Sequence, residues 1–417
     1  MRERLYGSND GYRVMLVLTP AFHPNEGGVQ MSTFKLARWF RGAGHRVGVF
    51  SFARAGHIET DLVELHRAEE EGGQQSRRNL ATLTEALDRF APDVVINQMP
   101  YEHGIGKVLR QWNPRLLLGC LRNTLFSVRN NLDAYGARVL PRGVSALLRN
   151  RPGRRLLLGR HRARHRRDLE RILDTYDHFV LFGPPNIGEL RFFVPGFDEG
   201  RTWLIPNSIP SVLEEVPKKE RRLLWLGRVN VDQKRSDLIL PLWERILAAL
   251  PDWSLDVVGE GPALEELRKQ AAHRGLRNVE FHGRQSPDAF YQRAAIFVMT
   301  SAFEGFPNTL IEAQSFGAVP VIFNSYPMAE WVLEGGRGGV LVEPFDVDAM
   351  AREVIAVARS DRQAELAEQA LANARRFHID TVGAMWQELF DAHLGAPGNM
   401  AVNAEGVVGP EPDRGQA

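Results

Sequence analysis

Two glutamates, Glu304 and Glu312, lie on either side of the point where a predicted strand gives way to a predicted helix. The apolar run at 296–299 predicts the strand, and the helix is expected to begin near Asn308. In open α/β sheets ligands bind at the carboxyl ends of strands, and a helix start offers free N–H groups to a phosphate. The two carboxylates could accept hydrogen bonds from sugar hydroxyls there. The spacing suits an Asn-capped helix with solvated acids equally well, so both interpretations stay open at this stage.

Two cations follow another predicted strand at 223–226. Arg228 comes directly after Gly227, and Lys234 lies in the loop that follows. A guanidinium binds phosphate oxygens through a fork of N–H groups, whereas an ammonium acts as a point charge. The pair could therefore neutralise a diphosphate. A surface loop with two solvated cations would give the same sequence pattern. The pattern alone therefore does not distinguish a diphosphate site from such a loop.

Glycine-rich turns follow two further predicted strands. Residues 259–262 read Gly-Glu-Gly-Pro after the strand at 255–258, and residues 25–28 read Asn-Glu-Gly-Gly ahead of the first predicted helix. Glycine lets the backbone approach a ligand closely. Neither turn is a G-x-G-x-x-G fingerprint, so a dinucleotide site is not indicated.

The elements that would position these residues alternate between strand and helix. Strands are predicted at 13–18, 47–50, 94–96 and 178–182 in the first half, and at 223–226, 255–258, 279–282, 296–299 and 319–323 in the second. This alternation predicts an α/β protein with two doubly wound, Rossmann-like sheets. We expect domains at 11–204 and 205–379, a final helix at 380–394 that could cross back to the first domain, and a disordered tail at 395–417.

The composition is that of a globular protein in a reducing compartment. The chain has 417 residues, a formal net charge of +1 and a single cysteine, so no intramolecular disulfide can form. No apolar run reaches the roughly 18 residues that span a bilayer. We therefore expect a cytoplasmic protein that could still lie on the inner face of a membrane.

Residues 134–167 form an arginine-rich insertion that contains no acid. Its cations run from Arg138 to Arg167, with leucines among them. The composition favours docking on an anionic membrane, with a solvated helical face as the alternative. Binding to nucleic acid is disfavoured, since no nucleic-acid motif and few aromatic residues accompany the cations.

Taken together, the motifs resemble those of retaining glycosyltransferase family 4, whose members have the two-Rossmann GT-B fold. The stretch E-G-F-P-N-T-L-I-E-A at 304–313 is similar to the signature of that family. The similarity is strong over about 200–345 and thinner over 11–200. The other motifs in matching order are Gly27-Gly28, Ile205-Pro206-Asn207, Gly227-Arg228, Lys234, Gly259-Glu260-Gly261-Pro262 and Phe281-His282-Gly283.

The resemblance implies how the diphosphate of a nucleotide sugar would be held. Arg228 and Lys234 would bind its oxygens without a metal or another cofactor. Backbone amides at the start of the helix would hold the phosphates and the sugar. These amides belong to the segment that contains Phe306, Asn308, Thr309 and Leu310.

The resemblance also implies roles for the remaining residues. Glu312 would accept from the ribose hydroxyls, and Glu304 would orient the transferred sugar. The base would lie near Gly283 and Arg284, and Gly27 and Gly28 would close the site from the first domain.

The implied reaction transfers a hexose or an N-acetylhexosamine from a nucleotide sugar, most simply a UDP-sugar, to a glycan or a lipid-linked saccharide in surface polysaccharide synthesis, with retained anomeric configuration. A sugar-nucleotide epimerase of similar fold is the alternative. The first half departs from the family pattern, because Asn97-Gln98-Met99 stands where many members carry a histidine motif. His103 is the nearest histidine and a candidate at the acceptor, as is the pair Arg122-Asn123.

Three other features read as structural, and one is His45, which lies in a turn between a predicted helix and a predicted strand. Asp346 and Asp348 resemble a metal-binding pair, but acids favour helix starts, and a helix is expected near Ala349. His161 and His165 have metal-ligand spacing, but the surrounding arginines would repel a metal.

Overall fold

A computed structural model describes residues 11–70, 73–126 and 151–395. Within them, the first sheet has the strand order β3-β2-β1-β4-β5-β6-β7, with every neighbouring pair parallel. The strands are β1 (Arg13–Leu18), β2 (Arg46–Ser51), β3 (Glu64–Arg67), β4 (Val94–Asn97), β5 (Leu116–Cys120), β6 (His178–Leu181) and β7 (Thr202–Leu204).

Helices connect these strands. They are α1 (Gly28–Gly42), α2 (Arg77–Phe90), α3 (His103–Trp112), α4 (Arg151–Thr175) and α5 (Pro184–Phe193). The arginine-rich insertion is thus described only from residue 151, as part of α4. Its cations at Arg138, Arg142 and Arg149 lie outside the described residues, as does most of the tail at 395–417.

The second sheet repeats the plan with the order β10-β9-β8-β11-β12-β13. Its strands are β8 (Glu220–Leu226), β9 (Ser254–Val258), β10 (Val279–Gly283), β11 (Ala294–Met299), β12 (Val319–Phe323) and β13 (Val340–Val342). Its helices are α6 (Ile239–Ala249), α7 (Leu264–His273), α8 (Asp288–Arg293), α9 (Asn308–Ser315), α10 (Pro327–Val332), α11 (Val347–Arg359) and α12 (Arg362–Ala374).

The two sheets confirm the predicted doubly wound α/β fold. Central strands such as β1 and β11 read as continuous apolar runs because helices cover both faces of a parallel sheet. Every residue of β11 is buried. The last strand of the first sheet ends at Leu204, and the first strand of the second sheet begins at Glu220.

The last helix, α13 (Ile379–Leu394), lies against the first domain. Trp386 and Phe390 are buried in the same apolar cluster as Phe40 of α1. A Cβ on Gly383 would lie 2.0 Å from the Trp39 ring, so only glycine allows this approach. The final helix therefore completes the core of the first domain.

The structure describes three of the residues that the sequence marked as structural. The Asp346 side chain accepts from the backbone N–H of Ala349 at 2.8 Å and caps α11. His161 and His165 stack on one another in α4, and burial lowers the pKa of both imidazoles. Within the described residues, no helix combines the length and apolarity that crossing a bilayer requires.

Candidate functional site

The candidate site lies where the strand order of the second sheet reverses. From β8 the chain continues to β9 and β10 on one side, whereas from β11 it continues to β12 and β13 on the other. The loops after β8 and β11 therefore diverge and leave a crevice at the carboxyl edge, where ligands of doubly wound sheets bind. Lys234 lies in the first of these loops and Glu304 in the second.

Lys234 and Glu304 form an ion pair in this crevice. The Lys234 Nζ lies 2.6 Å from Glu304 Oε1, and the two side chains are 15% and 8% exposed. The Gln233 side-chain amide donates to the other carboxylate oxygen at 3.2 Å. Both oxygens of Glu304 are thus held, which fixes the carboxylate beside the only cation that it contacts among the described residues.

The loop that carries Lys234 is itself fixed by hydrogen bonds. The Asn230 side chain accepts from the Lys234 N–H at 2.9 Å, and the Thr300 hydroxyl donates to the Lys234 carbonyl at 2.7 Å. Thr300 directly follows β11, so the two crevice loops are tied to each other. The Lys234 ammonium is therefore presented by a braced backbone, which suits binding of a fixed anion.

Glycines allow the ends of neighbouring strands to pack closely against each other. Gly259 has a φ of +136°, and a Cβ there would lie 1.9 Å from the Gly227 carbonyl oxygen. The Gly259 N–H also donates to the Gly283 carbonyl at 2.8 Å. The ends of β8, β9 and β10 therefore meet at one edge, and only glycine fits at the contact.

Helix α9 begins at this edge without a side-chain cap. Its cap residue is Pro307, and Asn308 is the first helical residue, so the Asn-capped alternative is wrong. The hydroxyl of Thr309 is buried and has no hydrogen-bond partner within 11–70, 73–126 and 151–395. An uncapped helix start beside an unsatisfied hydroxyl fits an anion ligand, because both supply donors to it.

Glu312 lies one turn into α9, and residues of both domains contact its carboxylate. Its Oε1 lies 3.4 Å from the Nζ of Lys35 on α1, and its Oε2 accepts from the Tyr291 hydroxyl at 3.2 Å. Burial and the Glu312 charge hold the pKa of Tyr291 well above its usual value, so this hydroxyl stays a neutral donor. The Lys35 ammonium also donates to the Ser208 carbonyl at 3.3 Å.

The first domain also reaches the site through its glycine turn. A Cβ on Gly28 would lie 3.2 Å from the side-chain amide of Asn308, and Gly27 has a φ of +145°. The start of α1 therefore faces the start of α9 across the cleft. Two helix N-termini meeting in this way concentrate N–H donors at one place.

Some residues singled out from the sequence are not joined to this cluster. Arg228 follows β8 with an exposed side chain, and no side-chain partner is found for it among the described residues. Arg284 lies after β10, 3.3 Å from Glu260. His103 opens α3 and is exposed, and no contact between described residues links it to Glu304. Sequence reasoning missed Lys35, Gln233 and Tyr291.

One cluster in the described residues has the composition of a metal site: Asp256, Glu280 and His282. Asp256 is buried, but Arg222 and Arg293 lie 3.0 and 3.1 Å from its oxygens. Two guanidinium groups already neutralise the carboxylate and would repel a metal ion. The cluster is better explained as a structural ion network at the side of the second sheet.

Comparison with known proteins agrees with this geometry. The family model described as glycosyl transferases group 1 matches residues 213–377, and the model described as glycosyltransferase family 4 matches residues 26–180. The first match contains all six strands of the second sheet, and the second contains β2 to β5 and most of β6 of the first sheet.

Individual relatives match over part of their length. The chain is 29% identical over 191 residues to an exopolysaccharide phosphotransferase of Streptomyces coelicolor and spans 20% of it. It is 33% identical over 144 residues, or 33% of this chain, to the GDP-mannose:cellobiosyl-diphosphopolyprenol alpha-mannosyltransferase of Xanthomonas oryzae and spans 37% of that protein. The match to the Streptomyces protein covers 45% of this chain.

A solved structure matches over nearly the whole chain. The structure of HepE from Anabaena in complex with UDP-glucose superposes with a TM-score of 0.69 at 16% identity, covering 92% of this chain and 100% of that one. At this identity the likeness establishes the fold alone, which is GT-B. With both family models in place on the two sheets, the chain belongs to the group 1, family 4 type of GT-B glycosyltransferases.

Proposed function

We propose that this protein transfers a hexose or an N-acetylhexosamine from a nucleotide-diphosphate sugar to a glycan or lipid-linked saccharide acceptor. The observation that carries the proposal is the grouping of Lys234, Glu304, Glu312 and the start of α9 in one crevice at the switch point of the second sheet. The proposed donor is a UDP-sugar, as in the HepE complex. The Xanthomonas relative is named for GDP-mannose, so both nucleotides belong in the test.

The proposed chemistry breaks the bond between the anomeric carbon and the leaving phosphate oxygen and forms a bond to an acceptor hydroxyl oxygen. The hydroxyl proton passes to the leaving phosphate on the same face, so the configuration is retained. Lys234, Arg228 and the dipole of α9 would stabilise the charge that develops on the diphosphate. Glu304 would hold sugar hydroxyls and Glu312 those of the ribose. No metal is required in this scheme.

Thermal unfolding with a panel of nucleotide sugars tests the proposal. A ligand that binds only the folded state raises its Tm by mass action. We expect UDP-glucose, UDP-N-acetylglucosamine or GDP-mannose to raise the Tm of the natural protein, and Glu312→Gln and Lys234→Ala to lose most of that shift. Glu353→Gln, an exposed change on α11, is the matched control. Equal shifts in all four proteins would rule out the assigned site.

A turnover assay separates transfer from the alternative reaction. The protein is incubated with the stabilising donor alone and then with a saccharide acceptor. Transfer predicts that nucleoside diphosphate release rises with the acceptor. Conversion of the sugar to its epimer without an acceptor would instead identify an epimerase.

The proposed acceptor side includes an anionic membrane surface at the cytoplasmic face, which α4 would contact. Its arginines at 154, 155, 160, 162, 164, 166 and 167 are all exposed. Leu156 on this helix is 69% exposed, and the neighbouring Phe192 is 37% exposed. Cations around exposed apolar side chains are typical of surfaces that bind anionic lipid.

Co-sedimentation with vesicles checks this surface. We expect binding to vesicles that contain about 30% phosphatidylserine to fall with rising salt. The double variant Arg160→Gln/Arg164→Gln should bind these vesicles severalfold more weakly. Neutral phosphatidylcholine vesicles are the control. Binding that is equal on both vesicle types, or unchanged in the variant, would contradict the proposal.

A further inference from the structure

Arg122 is a buried cation at the edge of the first domain that faces the site. It follows β5 and is 8% exposed. Its Nε donates to Gln98 Oε1 at 2.7 Å, and its Nη1 donates to Asn207 Oδ1 at 3.2 Å. Its guanidinium lies 5.5 Å from the centre of the Phe182 ring. Burial raises the pKa of the neighbouring Cys120 thiol, so this thiol is neutral and does not offset the charge of Arg122.

No carboxylate compensates this charge among the residues that the structure describes. Arg222 shows the usual arrangement, with Asp256 at 3.0 Å. A buried guanidinium is normally paired, because burying an isolated charge is costly. Arginine carries five N–H donors, and the bonds to Gln98 and Asn207 use only part of that set. The site is therefore electrostatically incomplete and favours an anion.

Gln98 supplies an independent observation. It follows β4 and is fully buried, and its Nε2 has no hydrogen-bond partner in the part of the chain that the structure describes. Because its Oε1 accepts from Arg122, the amide orientation is fixed and the Nε2 donors stay unsatisfied. A buried donor without an acceptor is rare in folded proteins. The Gln98 amide therefore has donors to spare beside a guanidinium that uses only part of its own donor set.

The pair lies against the proposed donor site. Asn207 donates to Asn308 Oδ1 at 3.0 Å, which links Arg122 to the start of α9. The Arg122 carbonyl oxygen lies 2.9 Å from where a Cβ on Gly305 would be, so the loop carrying Glu304 touches this segment. An anion bound here would sit on the first-domain side of the same cleft.

We propose that Arg122 and Gln98 form an anion subsite that binds a phosphate group during the reaction. A tetrahedral phosphate presents several acceptor oxygens, which match the fork of a guanidinium and a neighbouring amide. This inference rests on the proposed function. The phosphate belongs either to the donor diphosphate or to a phosphorylated acceptor, and the two sources are separable.

The test measures thermal unfolding of the full chain against inorganic phosphate. We expect phosphate to raise the Tm of the natural protein, and Arg122→Gln to weaken the apparent phosphate affinity about tenfold or more. Arg122→Lys keeps the charge and should retain part of the response. Gln98→Leu, which leaves the arginine in place, should lose a smaller part. Arg222→Gln is the control, because Arg222 is paired with Asp256 and lies outside the cleft. This variant should have a lower Tm than the natural protein but the same increase in Tm on addition of phosphate.

Saturating UDP distinguishes the sources. If UDP abolishes the Arg122-dependent response, the donor diphosphate occupies the subsite; if the response persists, the subsite is free for a phosphorylated acceptor. A phosphate response that depends on Lys234 but is unchanged in Arg122→Gln and Gln98→Leu would overturn the inference. In that case, UDP binding that still requires Glu312 would leave the proposed function standing.

Discussion

At the scale of single residues, Glu304 stands out as a carboxylate that the fold largely removes from water. It is 8% exposed and depends on Lys234 at 2.6 Å for its counter-ion. A buried ion pair adds little net stability, but loss of one partner strands the other charge in a low dielectric. Lys234 therefore has a structural duty in addition to its proposed role at the diphosphate.

We predict that Lys234→Ala lowers the free energy of unfolding by about 3 kcal/mol, because Glu304 is then left without its cation. The double variant Lys234→Ala/Glu304→Gln should recover most of this loss. Urea denaturation of the natural protein, both single variants and the double variant measures the coupling. Strictly additive effects would show that the two side chains do not stabilise each other.

The sequence located part of this residue set and missed the rest for physical reasons. Glu304, Glu312 and Lys234 are close in the sequence to glycines and predicted strand ends. This local pattern is enough to predict a ligand-binding edge of the sheet. Lys35 lies 277 residues from Glu312 and meets it only because the two domains dock. Tyr291 reads as an ordinary core aromatic, since nothing local shows that its hydroxyl reaches a carboxylate.

At the scale of elements, sequence pattern predicted the central strands well and the edges poorly. The bounds of β1 and β12 are those expected, because both strands are apolar along their length. No bounds were predicted for β5, although it is fully buried. The edge strands β3, β7 and β13 were not predicted. They are three or four residues long, and β3 reads Glu-Leu-His-Arg. Such edge strands form because a neighbouring strand offers hydrogen bonds, which a periodicity argument does not see.

The packing of α13 on the first domain predicts a pH dependence through His45. This imidazole accepts from the Tyr12 N–H at 3.0 Å and pairs with Gln387 of α13 at 2.9 Å. Burial lowers its pKa, while the Gln387 hydrogen bond and the Asp391 charge oppose the shift. The unfolded chain therefore binds a proton more readily than the folded one below about pH 6.5, so stability falls as the pH decreases.

We predict that His45→Gln flattens this acid dependence. Other buried histidines also contribute to the pH dependence of stability. The quantity compared is therefore the slope of the unfolding free energy between pH 7 and pH 5, in the natural protein and in His45→Gln. His23→Gln, a change at a half-buried histidine in the loop after β1, serves as the reference for a generic loss of imidazole. Parallel slopes in the natural protein and His45→Gln would contradict the assignment.

At the scale of the whole molecule, the two domains are joined at the site itself. Lys35 bridges α1 to Glu312, Arg122 bonds to Asn207, and the Gly305 backbone packs on Arg122. A nucleotide whose ribose needs Glu312 would compete with Lys35 for the same carboxylate. The interdomain contact and ligand binding are therefore energetically linked.

We predict that Lys35→Met loosens the ligand-free arrangement. Removal of the 3.4 Å ion pair takes away a partly buried contact between the domains. Small-angle scattering should then show a larger radius of gyration for the variant than for the natural protein. Lys107→Met, at an exposed position on α3, is the control. Identical scattering from all three proteins would mean that Lys35 does not restrain the domains.

The return of α13 to the first domain bears on how the chain is made. Phe40 and its neighbours on α1 emerge from the ribosome early, yet the side chains that cover them, Trp386 and Phe390, are translated only after the whole second domain. Until then the nascent first domain must expose an apolar face while the second domain is being synthesised. Such a chain should engage chaperones during synthesis, and a premature stop before α13 should yield an aggregation-prone product with an otherwise intact second domain.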